Sequence, residues 1–184
     1  MTFGVQVTFD AADPRALGAF WCVALGYVEP PPPEGFGSWE AALEAWGVPP
    51  ERRGDRYAIV DPDGVGPRVY LQRVPEPKTA KNRVHLDVDV GAGTPDAETR
   101  VARVRAHAAR LVELGARVER EVEEMGEFWV VLQDPEGNEL CLQLAAGVEP
   151  AARPRNISPA RHVVPCGGAM AYAGSSLKGS IPPR

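Results

Sequence analysis

Apolar and polar residues alternate along several short segments of the chain, a pattern typical of strands with one buried face. The first such segment spans 3–10, where Val5, Val7 and Phe9 alternate with polar or small residues. Further candidate strands fall at 27–29, 55–61, 68–74, 83–90, 116–122, 127–133 and 138–144. Because successive side chains of a strand point to opposite faces, the clearly alternating segments predict sheets with one apolar and one polar face.

Two longer segments have the spacing of amphipathic helices. One starts at Asp13-Pro14, a good N-cap followed by a proline that suits the first helical position, and it ends at Gly26. The other spans 96–114 and carries a stripe of valine, alanine and leucine. A shorter helix is predicted over 38–46, between the second and third strands.

The order strand-helix-strand-strand-strand occurs twice along the chain. The turn sequence DPDG at 61–64 precedes the last strand of the first copy, and DPEG at 134–137 precedes the last strand of the second. A repeat in both the amino-acid sequence and the order of the elements indicates two related modules. We therefore predict an α+β fold, in which two tandem βαβββ modules form a cupped mixed β-sheet with the helices on the outside.

The repeat also predicts where the units begin and end. The first module spans 1–74 and contains the inserted helix at 38–46, a linker follows at 75–82, and the second module spans 83–146. Residues 147–184 are rich in proline, glycine, serine and arginine. This composition is typical of a disordered or appended tail.

The polar faces of the strands predict a pocket. If two curved sheets lie edge to edge, their polar faces enclose a cup, and four strand-start positions converge there: Gln6, Arg68, His85 and Glu139. Strand parity adds Tyr70, Cys141 and Gln143 to the predicted lining. Trp39 and Trp129 suit that lining too, although the core or a dimer interface explains each of them equally well.

The chain resembles the glyoxalase-like branch of the vicinal oxygen chelate superfamily, which has the bleomycin-resistance/dioxygenase type of fold. The resemblance covers roughly residues 3–145 and lies in the segments at 13–27, 36–40, 61–64, 74–87 and 133–139. It implies the paired βαβββ fold, a pocket in the cup and commonly a homodimer.

Members of this superfamily often hold a divalent metal through one residue from the first and one from the last strand of each module. The resemblance places these positions at Gln6, Arg68, His85 and Glu139. Gln6, His85 and Glu139 are plausible ligands for Zn, Ni, Fe or Mn, and Glu139 is also the candidate catalytic residue. Arg68 is not a ligand, because its guanidinium stays protonated and has no lone pair. Two charges about 4 Å apart repel by roughly 4 kcal/mol at an effective dielectric of 20, so Arg68 argues against a metal.

Two functional hypotheses result, and the question of enzymatic activity stays open between them. In the first, which the repulsion favours, Arg68 replaces the ion by pairing with Glu139, and the cup is a metal-free or weakly metallated small-molecule binding pocket. In the second, Gln6, His85 and Glu139 hold a metal, and Arg68 neutralises an anionic substrate. The protein would then be a lyase or isomerase, or a ring-cleaving dioxygenase.

Charge and composition narrow the choice of partners. The net charge is −5, but residues 151–184 carry five basic and no acidic side chains, so residues 1–150 have a net charge of −10. An acidic body argues against nucleic-acid binding, which needs a positive patch. No apolar run approaches the roughly 18 residues of a membrane span. The three cysteines have no CxxC spacing, and we expect a cytoplasmic protein.

Overall fold

The computed structural model describes residues 3–90, 93 and 96–144, and the predicted tail at 147–184 lies outside them. Within these residues the strands and α-helices follow one another in a fixed order along the chain. They are β1 (Gln6–Ala11), α1 (Pro14–Leu25), α2 (Trp39–Ala45), β2 (Arg56–Ile59), β3 (Arg68–Arg73), β4 (Leu86–Asp89), α3 (Ala97–Glu113), β5 (Arg117–Glu124), β6 (Glu127–Gln133) and β7 (Glu139–Gln143).

The strands form two mixed sheets, one from each module. The first has the order β1-β3-β2 and the second the order β4-β7-β6-β5. In both, the first strand of the module pairs in parallel with its last strand, which in turn pairs antiparallel with the strand before it. The predicted α+β fold with two related modules is therefore confirmed, with the cup divided between two hydrogen-bonded sheets.

The first module lacks a regular counterpart of β5. The sequence predicts a strand at 27–29, but the structure has an isolated bridge there, in which Val28 and Val60 exchange two backbone hydrogen bonds of 3.0 and 2.9 Å. The four prolines at 30–33 come directly after it. Because proline has no N–H to donate, pairing cannot extend beyond the bridge.

The apolar faces of both sheets pack into one core. In β7, Leu140 and Leu142 are fully buried, whereas Glu139, Cys141 and Gln143 are half-buried, as the alternation predicts. Helix α1 packs on β2 and β3, and α3 packs on β6, β5 and β7. The helices thus cover the apolar faces and leave the polar faces for a site.

Contacts between the modules converge on α1 and on the two residues just before it. The indole Nε1 of Trp21 donates to Asp134 Oδ2 at 3.1 Å, and the backbone N–H groups of Ala12 and Asp13 donate to the Glu136 carboxylate at 2.7 and 2.8 Å. The turn at 134–137 of the second module therefore holds the start of α1 in the first. We expect this attachment to help fix the position of β1 relative to the second module.

Candidate functional site

A cavity of about 710 Å³ lies between β1 and the residues that lead into β4. Among the described residues, its lining comes from 7–12, from 74 and the linker residues 76–78 and 82, from 84–86, and from 136, 138 and 139 at the end of the turn and the start of β7. Pockets of this volume hold small organic ligands. Both modules and the linker between them contribute to it.

The lining combines an apolar wall with several ionisable groups. Val7, Phe9, Val84 and Leu86 supply apolar surface, and Thr8 and Asp10 come from the polar face of β1. Asp10 accepts a hydrogen bond of 2.8 Å from the Gln72 amide on the neighbouring β3. Further carboxylates come from Glu76, Glu136 and Glu139, and the basic group of the lining is Lys78.

Glu139 ties the linker to the cavity wall. Its carboxylate accepts a hydrogen bond of 3.0 Å from the backbone N–H of Asn82, and Lys78 Nζ lies 3.2 Å from its Oε2. Only 12% of the Glu139 side chain is exposed. Burial alone raises the pKa of Glu139, but the Asn82 N–H and the Lys78 ammonium outweigh it, so the pKa lies below its ordinary value.

The lowered pKa of Glu139 predicts that its contacts to the linker stabilise the protein less in acid. A carboxyl group whose pKa is depressed by folding stabilises the protein above its unfolded-state pKa, and that contribution is lost as the pH falls through the folded-state value. We expect Glu139→Gln to lower the free energy of unfolding by about 1 kcal/mol at neutral pH, because the charged contact to Lys78 is removed. The measurement is chemical denaturation of both proteins from pH 7 down through the acid range.

The difference between wild type and Glu139→Gln should shrink once the pH falls below the ordinary glutamate pKa of 4.5. Lys78→Met serves as a control, since it removes the ammonium but keeps the Asn82 N–H, so the pKa of Glu139 should rise toward its ordinary value without losing the whole shift. A pH-independent difference would show that Glu139 does not act through its charge.

Gln6 and Arg68 form a pair of their own on the first sheet. They are Cα partners across the parallel β1–β3 ladder, and the Arg68 guanidinium donates to the side-chain oxygen of Gln6. The guanidinium carbon also lies 5.2 Å from the centre of the Tyr70 ring. Neither Gln6 nor Arg68 is among the described residues that line the cavity.

His85 lines the cavity and lies against two residues of the second sheet. Its Nδ1 is 2.8 Å from Asp87 Oδ1 and 4.0 Å from Cys141 Sγ. Burial and the nearby Asp87 carboxylate raise the pKa of the Cys141 thiol to about 11, although Arg120 and Lys81 oppose the shift. At neutral pH Cys141 is therefore a thiol, which does not favour nucleophilic chemistry.

The sequence profile of the glyoxalase-like domain family matches residues 6–143. The chain belongs to this family. Among solved structures, it is similar to a hypothetical protein from S. aureus, with a TM-score of 0.53, 13% identity, and coverage of 78% of this chain and 95% of that one. It is also similar to the fosfomycin resistance protein FosX from Mesorhizobium loti, with a TM-score of 0.50, 12% identity, and coverage of 78% and 93%. At such identities the likeness shows the fold.

Curated protein sequences include no match to this glyoxalase-like domain. The described residues also contain no helix that is both long and apolar enough to cross a bilayer. The family membership confirms the predicted resemblance to the vicinal oxygen chelate superfamily. The geometry of the site then decides how far the superfamily's metal positions apply to this chain.

The four positions that the resemblance assigns to a metal do not fit one in this glyoxalase-like domain. The side-chain oxygen of Gln6 accepts a hydrogen bond from Arg68, and the Glu139 carboxylate is bound by Lys78 and the Asn82 N–H. A cation therefore already lies at both candidate oxygen ligands. The predicted pairing of Arg68 with Glu139 does not occur in the structure, because Arg68 binds Gln6 across the first sheet and Glu139 has Lys78 as its partner.

The other predicted pocket residues lie in several places. Trp39 donates its Nε1 to the Pro30 carbonyl at 2.9 Å and packs edge to face on Trp46, so it anchors α2. Trp129 and Gln143 are Cα partners across β6 and β7, at the far end of β7 from Glu139. Of the predicted pocket residues, only His85 is among the described residues that line this cavity, together with the candidate catalytic residue Glu139.

Several residues of the site carry no strong signal in the sequence. Lys78 and Asn82 lie in the linker, where no periodicity indicates which way a side chain points. Glu136 reaches the start of α1 from more than a hundred residues away. Asp87 is the exception, because strand parity places it on the same face as His85.

Proposed function

We propose that this glyoxalase-like domain binds a small organic molecule, neutral or cationic, in the cavity between β1 and β4, without using the superfamily's four metal positions. The observation that carries the proposal is a cavity of about 710 Å³ whose lining joins apolar surface to a few polar groups. This combination is typical of sites for small ligands. In this proposal His85 and Glu139 form part of the cavity wall, whereas Gln6 and Arg68 pair with each other outside it.

The charges of the lining support a ligand without negative charge. Asp10, Glu76, Glu136 and Glu139 are acidic, and Lys78 already pairs with Glu139. The two backbone N–H groups on Glu136 are neutral donors, so they stabilise its charge without cancelling it. In the metal-dependent hypothesis Arg68 neutralises an anionic substrate, but its guanidinium binds Gln6 and lies against the Tyr70 ring. Coulomb repulsion from the carboxylates of the lining other than Glu139 therefore disfavours an anionic ligand.

The alternative function, a metal-dependent lyase or isomerase or a ring-cleaving dioxygenase, has less support. It requires the oxygens of Gln6 and Glu139 as ligands, and both are paired with cationic side chains. The homodimer and the module boundaries remain predictions from the resemblance and the repeat.

Ligand binding is tested with a panel of small molecules sorted by charge. A ligand that binds only the folded state at about 100 times its Kd stabilises it by about 2.7 kcal/mol, which raises Tm by roughly 5–10 °C. We expect such shifts from neutral and cationic compounds. Thr8→Trp should fill the cavity and weaken binding of each hit at least about 10-fold, measured by calorimetry.

Arg56→Trp is the matched control for this experiment. Arg56 lies on the same polar face of the first sheet but outside the described lining of the cavity, so the added ring leaves the cavity open. Hits found only among anions, or hits that bind Thr8→Trp as tightly as Arg56→Trp, would contradict the proposal.

A further inference from the structure

We propose that residues 160–164 of this chain, the docking segment, add a short β-strand to the cavity and compete there with the small molecule of the proposed function. The docking segment lies outside the described residues and has the sequence Ala-Arg-His-Val-Val. The competition rests on the proposed function. The docking itself depends on the edges of two strands, on charge and on chain length.

Two sheet edges flank the cavity. In the sheet order β1-β3-β2 the edge strand is β1, and in the order β4-β7-β6-β5 it is β4, so each has one hydrogen-bonded neighbour among the described strands. Residues 7–11 of β1 and Leu86 of β4 line the cavity. An edge strand presents backbone N–H and C=O groups that a further strand can bind, and extended peptides are recognised in this way. An extended backbone in the cavity therefore meets partners along β1 and at the start of β4.

The cavity lining is complementary to a basic segment that also carries apolar side chains. Its apolar wall includes Val84, which is 78% exposed and would gain contacts from an added strand. The lining carries four carboxylates and one lysine, Lys78, which already pairs with Glu139. Residues 151–184 carry five basic and no acidic side chains. Coulomb attraction therefore favours this part of the chain as the occupant.

Within the C-terminal region, the docking segment is the stretch best suited to a strand. Val163 and Val164 are the only two consecutive β-branched residues after residue 144, and β-branched residues favour strands. Arg161 supplies the positive charge beside them. A proline flanks the docking segment on each side, and because proline cannot donate to a ladder, the added strand is limited to five residues. This length lies between the six residues of β1 and the four of β4.

The length of the chain allows the docking segment to reach the cavity. Glu139 lines the cavity at the start of β7, and the described residues end at Leu144, five residues further on. At about 3.4 Å per residue, Leu144 lies roughly 17 Å from Glu139. Fifteen residues, 145–159, connect Leu144 to the docking segment. A random coil of that length spans roughly 20 Å, and a linker whose span matches the distance gives the highest effective concentration. This match favours the chain's own segment over a separate basic peptide.

Hydrogen exchange of the full-length chain tests the docking without any ligand. Arg161→Glu combined with Val163→Asp, the segment variant, replaces the basic charge and one apolar side chain of the docking segment with acidic groups. We expect Leu86 and the β1 amides that face away from β3 to exchange at least about 10-fold faster in this variant, because they lose an added partner. Exchange in β6, which lies between β7 and β5, should not change, and this shows that the domain stays folded.

Arg155→Glu combined with Ile157→Asp is the matched control. It makes the same kinds of change at the same spacing and alters the net charge equally, but in the stretch before the docking segment. Its exchange should equal that of the wild type. Equal exchange in the wild type and the segment variant, or equal acceleration in the segment variant and the control, would overturn the proposal.

Calorimetry with the neutral and cationic compounds of the panel separates this proposal from the proposed function. Because only the fraction of wild type with an open cavity binds a ligand, each hit should bind the segment variant about 10-fold more tightly than the wild type or the control. Hits that bind all three proteins equally, together with unchanged exchange, contradict the docking and leave the cavity site in place. Faster exchange in the segment variant without any hit supports the docking and contradicts the proposed function.

Discussion

Replacing Asp134 with alanine is expected to lower the free energy of unfolding by about 3–4 kcal/mol. Asp134 is 3% exposed and accepts four hydrogen bonds, from the backbone N–H groups of Glu136 and Asn138, from the Asn138 amide and from Trp21 Nε1. Trp21 is fully buried, so its indole N–H would lose its partner away from water. An unpaired buried donor costs about 1–3 kcal/mol, and the turn at 134–137 would lose its internal support as well.

The internal repeat supplies a matched control. Asp61 occupies the same position in the first DPxG turn and accepts hydrogen bonds from the backbone N–H groups of Asp63, Val65 and Gly66. It lacks the buried tryptophan contact to the other module, so Asp61→Ala should cost only about 1–2 kcal/mol. Urea denaturation of both variants measures the difference. Equal losses would show that the turn matters more than the link between modules.

Acid titration separates these effects further. Burial raises the pKa of Asp134 above its ordinary 3.8, because the loss of hydration outweighs the four donors. A carboxyl group with a raised folded-state pKa contributes most to stability below the unfolded-state pKa, and the contribution declines as the pH rises through the folded-state value. The loss caused by Asp134→Ala should therefore be larger in acid than at neutral pH.

Local patterns predict the repeat and most of its strands. Alternation in β3 and β7 predicts the faces that the structure shows, with Val69, Leu71, Leu140 and Leu142 buried. The predicted strand at 27–29 is reduced to an isolated bridge, because the four prolines at 30–33 have no N–H groups with which the ladder could continue. Side-chain parity is a local property, whereas the extent of a ladder also depends on the residues beyond the end of the strand.

The site is predicted only in part, because its geometry depends on contacts between distant segments. Strand parity places His85 and Glu139 on the polar faces, and both line the cavity. The same parity places Gln6 and Arg68 correctly on their strands, but it cannot show that they bind each other rather than a common ligand. Lys78 reaches Glu139 through a linker whose path no periodic pattern describes. The sequence therefore predicts which polar side chains face the site, but not which of them bind each other.

Gly18→Ala should destabilise the protein by about 2–3 kcal/mol, although alanine is the better helix former by about 1 kcal/mol. Gly18 lies inside α1, and a Cβ atom there would come within 2.2 and 2.5 Å of the Tyr57 ring. Tyr57 is 1% exposed, and its hydroxyl donates to Glu29 at 3.2 Å, so the ring has no free space to move into. The missing side chain thus allows α1 to pack closely on β2.

Two comparisons establish that the cost comes from this contact. Ala16→Gly, at an exposed position of the same helix, should cost about 1 kcal/mol by propensity alone. In a Tyr57→Leu background the ring edge is absent, so Gly18→Ala should become neutral or stabilising. A cost that is the same in both backgrounds would exclude the steric explanation, as would a stabilising effect of Gly18→Ala alone.

The close packing at Gly18 also bears on the cavity. Helix α1 begins next to Ala12, which lines the cavity and donates its N–H to Glu136. A helix displaced from β2 by an added methyl group would carry that N–H away from Glu136 and widen the gap between β1 and β4. We therefore expect Gly18→Ala to weaken binding of the cavity ligand as well as folding, and Tyr57→Leu to restore part of both. Calorimetry of a cavity ligand at a temperature where every variant is folded separates the two effects.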